Sequence, residues 1–461
     1  MSPRLRLPVA LIALGLVGVG ATGAIGLTGS GSRSGDGSHA SSTASGGAAA
    51  TRRTSSNLST SPSPGLPAVV DPLAKDIAKQ QEELRRVPGN YQAWAVLGLD
   101  YVQQAKITVN PAYYPKAMGV LKRSLKINRT QNYTAMAGEA ALKAAEHDFA
   151  AARSWARRGL RIDGYNVTLL GALDDADTQL GRYQEALRAA QKMNQLAPGV
   201  PAFTRAEYVF ELRGDLTAAR AAMRRALSSA TAPSDKAFAH YYLGELAFNA
   251  GDPRAALRQA NAGIVADPTY VALLEGKAKA EAALGRIDAA LGDYRKVVSQ
   301  IPQPQYVVEY GELLESVGHT TAAQQQYHLF GIENKLFEAN HVTLDTDPTL
   351  FYADHGRPKL ALRYGKVGIK IRPFVEMDDA YAWALHVNHR DQQALAWEKK
   401  AMALGTRNAL FYYHVGMIEK TLGRTSAARS DLRRALAINP HFSPLQAPIA
   451  REALARLGNT P

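Results

Sequence analysis

With cysteine absent, the side chains of this protein that could ligate a metal are histidines and acids. No thiolate nucleophile, thiolate metal site, disulfide or lipid-modified N-terminal cysteine can form. Eleven histidines remain. His386 and His389 lie a three-residue step apart in His386-Val387-Asn388-His389, and His341, His355 and His414 fall in neighbouring segments. A zinc centre needs three or four ligands converging on one point. His355 and His389, however, stand where turns between helices are expected, and a polar residue belongs there without any ion. Asp345-Thr346-Asp347 lacks the glycine and glutamate of a calcium loop. No phosphate-cradling glycine loop, Gly-x-Ser-x-Gly elbow or His-Glu-x-x-His is present. The expectation is a non-enzyme with no cofactor and no metal.

Charge is the second chemical signal. Lys and Arg number 54 against 41 Asp and Glu, a net of +13. Second-helix segments concentrate it, as in Arg153, Arg157, Arg158 and Arg161, and again in Arg220, Arg224 and Arg225. Such faces are either solvated exteriors or surfaces for an anionic partner. With no nucleic-acid fold motif, nucleic acid is not the expected partner.

The elements that must carry these residues begin with an export signal. Arg4 and Arg6 precede the apolar run Val9–Val19, and no charge occurs between Arg6 and Arg33. That layout suits a cleaved secretory signal, and the uncharged span from Leu7 to Ser32 is also long enough for an uncleaved anchor. Arg52-Arg53 follows the apolar run, so it is no twin-arginine signal. Either reading of residues 1–28 places the rest outside the cytoplasm. Residues 29–70 are rich in Ser, Gly, Thr and Pro and cannot bury enough apolar surface to offset chain entropy, so a disordered, flexible linker is predicted.

From residue 71 onward the pattern is periodic. A small residue in the context Gly-x-aromatic/aliphatic-x-x-Ala recurs at Ala117, Ala152, Ala186, Ala219, Ala256, Ala290, Ala323, Ala361, Ala394 and Ala428, in steps of 33 to 38 residues. The stretch Pro268–Pro302 is the best-formed copy: two amphipathic helices around Gly285, closed by a proline. Trp94, Leu97, Gly98 and Tyr101 fit W-x2-L-G-x2-Y, and Gly181-Arg182-Tyr183 through Leu187 with Pro198 closes another copy. Over about residues 88–440 the chain resembles the tetratricopeptide repeat family. The resemblance implies an all-α, right-handed α-solenoid of about ten helix-turn-helix repeats. Capping helices are predicted at Pro72–Arg86, with Asp71 as N-cap, and near Pro444–Leu457. Lys106–Tyr114 reads as a protruding loop. Gly331–Asp347 reads as an irregular seam that divides residues 71–330 from 331–461.

In that family the first helix of each repeat lines a groove that holds a peptide or helix of a partner. Carried over by position, the groove residues are Tyr208, Glu211, Phe238, Tyr241, Glu245, Phe248, Asn249, Glu275, Lys279 and Glu312. The family's clamp for a C-terminal carboxylate uses Lys and Asn, but its positions here hold Tyr241, Glu275, Val308, Glu245 and Lys279, so that clamp is missing. The expected function is an extracytoplasmic scaffold for another protein or peptide, in a bacterial cell-envelope assembly. The alternative is adhesion to anionic envelope polymer or lipid through the Arg-rich faces.

Overall fold

The computed structural model of the protein describes residues 72–458. The signal or anchor (1–28), the linker (29–70) and Asp71 lie outside the described residues. Among the described residues all regular structure is α-helix, in twenty-two helices. Cap helix α1 (Pro72–Arg86) comes first. Ten pairs follow, beginning with α2 (Tyr91–Thr108) and α3 (Tyr113–Ile127), α4 (Tyr133–Ala145) and α5 (Phe149–Leu160), then α6 (Val167–Gln179) and α7 (Tyr183–Leu196). The middle pairs are α8 (Val200–Leu212) with α9 (Leu216–Ser229), α10 (Pro233–Asn249) with α11 (Pro253–Ala266), and α12 (Val271–Ala283) with α13 (Ile287–Gln300). α14 (Pro304–Ser316) and α15 (Thr320–Ala339) make the seventh pair, and α16 (Thr346–Asp354) and α17 (Pro358–Ile371) the eighth. α18 (Val375–His386) with α19 (Asp391–Ala401), and α20 (Ala409–Thr421) with α21 (Thr425–Ile438), precede the C-terminal cap α22 (Gln446–Gly458). No helix among the described residues is long and apolar enough to cross a membrane.

Each pair is built by the same local devices. The turn holds one residue in the left-handed region, such as Gly251 (φ +80°) and Gly285 (φ +77°), with His147 (φ +62°) and His389 (φ +59°) in the same place in the second and ninth pairs. An aspartate next to the turn then caps the second helix. Asp148, Asp215 and Asp252 accept from the N–H of Ala151, Ala218 and Ala255 at 2.9–3.0 Å. All ten marker alanines are buried, nine of them completely. Opposite them the first helix comes close: a Cβ added at Gly416 would stand 2.8 Å from Leu432 Cγ.

One expectation needs correction: the loop predicted at Lys106–Tyr114 shrinks to residues 109–112, because buried Tyr101, Val102 and Ala105 prolong the apolar stripe and carry α2 to Thr108. Within the seam predicted at Gly331–Asp347, α15 continues to Ala339 and the break narrows to residues 340–345, before the short α16. It has a tertiary cause. Phe337, Val342 and Leu344 pack against the core of the first two pairs, next to Tyr101, Leu142 and Phe149.

That contact opens the second winding of a superhelix. First helices of neighbouring pairs pack on one another, so they line the inside. After five pairs the solenoid meets itself. In the second pair, Glu146 O accepts from Thr343 N (3.1 Å), and His147 Nδ1 lies 3.0 Å from Asp345 Oδ2. Arg372 then donates from Nε to Gln179 (2.6 Å) and from Nη1 to Asp345 (2.9 Å), fully buried and stacked on Phe374. Thr406 Oγ1 donates to Leu212 O (2.6 Å), and Asn439 Nδ2 to Phe248 O (2.9 Å). The sequence separations are 198, 193, 194 and 191 residues, so the turn of pair n docks on the end of pair n + 5.

Candidate functional site

The winding decides where the predicted groove residues sit. Tyr208, on α8, is buried and its hydroxyl donates to Glu376 Oε1 of α18 at 3.0 Å, across the two windings. Phe238 is fully buried against Tyr242, ring centres 4.7 Å apart. Phe248 lies under the Lys279 ammonium at 5.4 Å, and its carbonyl is the acceptor for Asn439. Lys279 Nζ bridges Glu245 (2.6 Å) and Glu275 (2.9 Å), while Tyr241 donates to Glu275 at 3.2 Å. Glu312, on α14, is buried as well. Only Glu211, Tyr241 and Asn249 keep partial exposure. The structure therefore brings Tyr241, Glu245, Phe248, Glu275 and Lys279 together, but as an internal cluster. Phe238 and Phe248 are core residues, and Glu245, Glu275, Lys279 and Glu312 are turned away from solvent. The physical reason is the tight winding, which places first helices against one another where an open solenoid would expose them.

Burial dominates the electrostatics of this wall. It pushes the Glu275 carboxyl well above the usual range, because at 0% exposure the carboxylate loses its hydration, a loss that nearby Glu309 adds to and Lys279 only partly offsets. For Lys279 burial works against the charge, yet Glu245 and Glu275 outweigh it and hold the ammonium above its ordinary value. Glu376 is likewise raised by burial, to about 7.

A second internal cluster was missed by sequence reasoning. Arg205 of α8 makes a bidentate pair with Asp175 of α6 (2.8 and 2.7 Å), and Asp174 Oδ2 lies 3.7 Å from Arg205 Nε. Lys106, at the end of α2, points a buried Nζ toward the same acids without a hydrogen bond, and burial lowers it to about 8. Two consecutive acids within an otherwise apolar first helix, with an arginine one repeat later, were the available signal.

Second helices face outward. Arg157, Arg158 and Arg161 at α5, and Arg224 and Arg225 on α9, are exposed. Two of these guanidiniums are ordered by stacking, Arg158 over Trp155 (5.2 Å) and Arg225 over Phe203 (4.4 Å). The outward face is thus basic and in part preorganised.

A family model described as tetratricopeptide repeat matches residues 409–442, which is the tenth pair and its exit. Among curated proteins none matches. Similar solved structures include a tetratricopeptide repeat protein from Parabacteroides merdae ATCC 43184, 18% identical, covering 56% of this chain and 99% of that one, with a TM-score of 0.33. Another is the Cut9–Hcn1 hetero-tetramer of APC/C, 12% identical over 83% of this chain and 81% of that one (TM-score 0.39). MamA is 20% identical over 37% of this chain and 92% of its own (TM-score 0.29). The tenth pair thus carries the tetratricopeptide repeat signature, and the nine pairs before it repeat its buried marker alanine, so the described residues are similar to a tetratricopeptide-repeat solenoid.

Proposed function

We propose that the protein is an extracytoplasmic, non-catalytic scaffold that binds another protein in a bacterial cell-envelope assembly. Residues 1–28 export or anchor it, and residues 29–70 serve as tether. Tetratricopeptide repeats are in general interaction scaffolds, and the uncharged Leu7–Ser32 span supports the export reading. One observation carries the choice of surface: the groove candidates are largely buried in contacts between neighbouring first helices, and Tyr208 is held by Glu376 of the second winding. The recognition face is then the basic exterior of α5 and α9, and the partner presents acidic groups.

The test is affinity capture with the full-length protein from its native envelope. Charge reversal at Arg157, Arg158, Arg224 and Arg225 should abolish partner recovery, while Tyr241→Phe should leave it intact. Loss of the partner on Tyr241→Phe with the reversed-charge protein unaffected would return the site to the groove. Binding of purified protein to anionic vesicles or wall polymer, lost in high salt and without any protein partner, would favour the adhesive alternative. A reporter enzyme active only outside the cytoplasm, fused after Pro461, tests the export reading.

A further inference from the structure

Glu398 breaks the packing rule of the ladder. It lies one helical turn after the marker Ala394, on the same face of α19. In the other pairs this position is apolar or glycine, and Leu121, Met223, Tyr294 and Leu432 hold it at 0% exposure. Glu398 is equally sealed at 0%, and no N–H or hydroxyl donates to its oxygens, which lie within hydrogen-bonding reach of the Asp379 carboxyl alone. Beside it stand His414 of α20 (0% exposed) and Asp379 of α18 (1% exposed). His414 Nδ1 is 2.7 Å from Asp379 Oδ1 and 4.0 Å from Glu398 Oε1, and one ligand atom from each residue falls within 4.8 Å of the others. Trp383 stacks on the imidazole at 4.2 Å and 15°, fixing the ring with Nδ1 toward the acids. Among the described residues no lysine or arginine pairs with either carboxylate, and nearby Lys400 is held by Asp378 at 2.8 Å.

Two buried carboxylates beside an imidazole need positive charge, because an unpaired ion in a sealed interior loses its hydration without return. A proton shared between the acids neutralises one of them; a divalent cation neutralises both. The donor set is one nitrogen and four carboxylate oxygens with no sulfur, enough for four-coordination and suited to zinc or a similar borderline ion. We propose that Asp379, Glu398 and His414 form a buried structural site for a divalent transition-metal ion of the zinc type, joining the ninth helical pair to the tenth. Since all three ligands are sealed, the ion enters as these pairs fold and then resists chelators.

The experiment uses untagged full-length protein, unfolded in denaturant with chelator, desalted, and refolded with or without one equivalent of Zn2+. Wild type should retain about one zinc per chain by elemental analysis, with a melting transition several degrees above the metal-free sample. Refolding with Co2+ should give visible d–d absorption. Glu398→Leu restores the residue that Leu432 supplies in the tenth pair, so it should fold without metal, retain at least tenfold less zinc and show no metal-dependent shift. Asp379→Asn is the second variant, with the same expected loss of zinc. Wild type that refolds without retaining zinc, or variants that retain as much as wild type, would overturn the proposal and leave the shared proton as the explanation.

Discussion

Gly251 and Gly285 hold the same place in successive pairs, at φ +80° and +77°. Alanine at either position forces a side chain into the left-handed region, at about 1–2 kcal/mol. What the new Cβ meets differs. At Gly285 there is nothing within 4 Å, whereas at Gly251 the Cβ would stand 2.7 Å from the Ile438 carbonyl oxygen and 3.4 Å from Asn439 Cα. Both obstacles are backbone of the second winding, so the windings must separate locally. Overpacking of this kind costs about 1–3 kcal/mol. The buried hydrogen bond from Asn439 Nδ2 to Phe248 O is lost with it, worth about 1 kcal/mol more. Gly251→Ala should therefore cost about 2–4 kcal/mol more than Gly285→Ala. A solenoid unfolds in parts, so the reading should be local. Amide hydrogen exchange resolved by peptide should accelerate at residues 404–442 in Gly251→Ala, far from the substitution in sequence. In Gly285→Ala the change should stay within the sixth pair. Equal destabilisation of the two variants, or unchanged exchange around Asn439, would refute the five-pair winding.

Three further outcomes follow from the same structure. Burial disfavours ionised Asp345, but Arg372 and His147 hold its carboxyl well below the usual range. Its stabilisation is complete above about pH 4 and is lost as pH falls toward the folded value, so Asp345→Asn should cost about 3–5 kcal/mol at pH 7 by stranding Arg372. Its acid-unfolding curve by circular dichroism should also be shallower, and a curve parallel to wild type would contradict the pairing. Glu376 behaves oppositely: the unfolded chain releases its proton near 4.5 and the folded chain only at about 7, so wild-type stability falls as pH rises between these values. Glu376→Gln, which can still accept from Tyr208, should melt higher than wild type at pH 8 by about 1–3 kcal/mol and match it at pH 4; no difference at pH 8 would contradict a raised Glu376. Ala290, fully buried at the helix crossing of the sixth pair, should tolerate Leu poorly, with a loss of about 1–3 kcal/mol by thermal melting.

Much of the fold was legible because tetratricopeptide pairs are local objects. Turn glycines and marker alanines act within some 34 residues, and the spacing of the alanines located the ten pairs, while the caps were read from Asp71-Pro72 and the amphipathic Pro444–Leu457 stretch. The irregular eighth pair could be sensed from its poor pattern, but its cause could not, since Phe337 and Val342 answer to residues near Leu97 and Phe149. The groove was misread for a related reason. Tyr208, Phe238 and Phe248 carry the residue types of binding anchors, and pattern alone does not distinguish an open concave wall from one whose first helices pack closely enough to bury it. Closure depends on small rotations between pairs, summed over five of them, which no single repeat encodes. Gly181, Gly214 and Gly251 look in sequence like Gly285 and Gly318; only the tertiary structure sets the first three against Pro373, Gly405 and Ile438 and leaves the others open. Local periodicity thus determined the pairs, and the accumulated twist decided which faces became core and which stayed free to meet a partner.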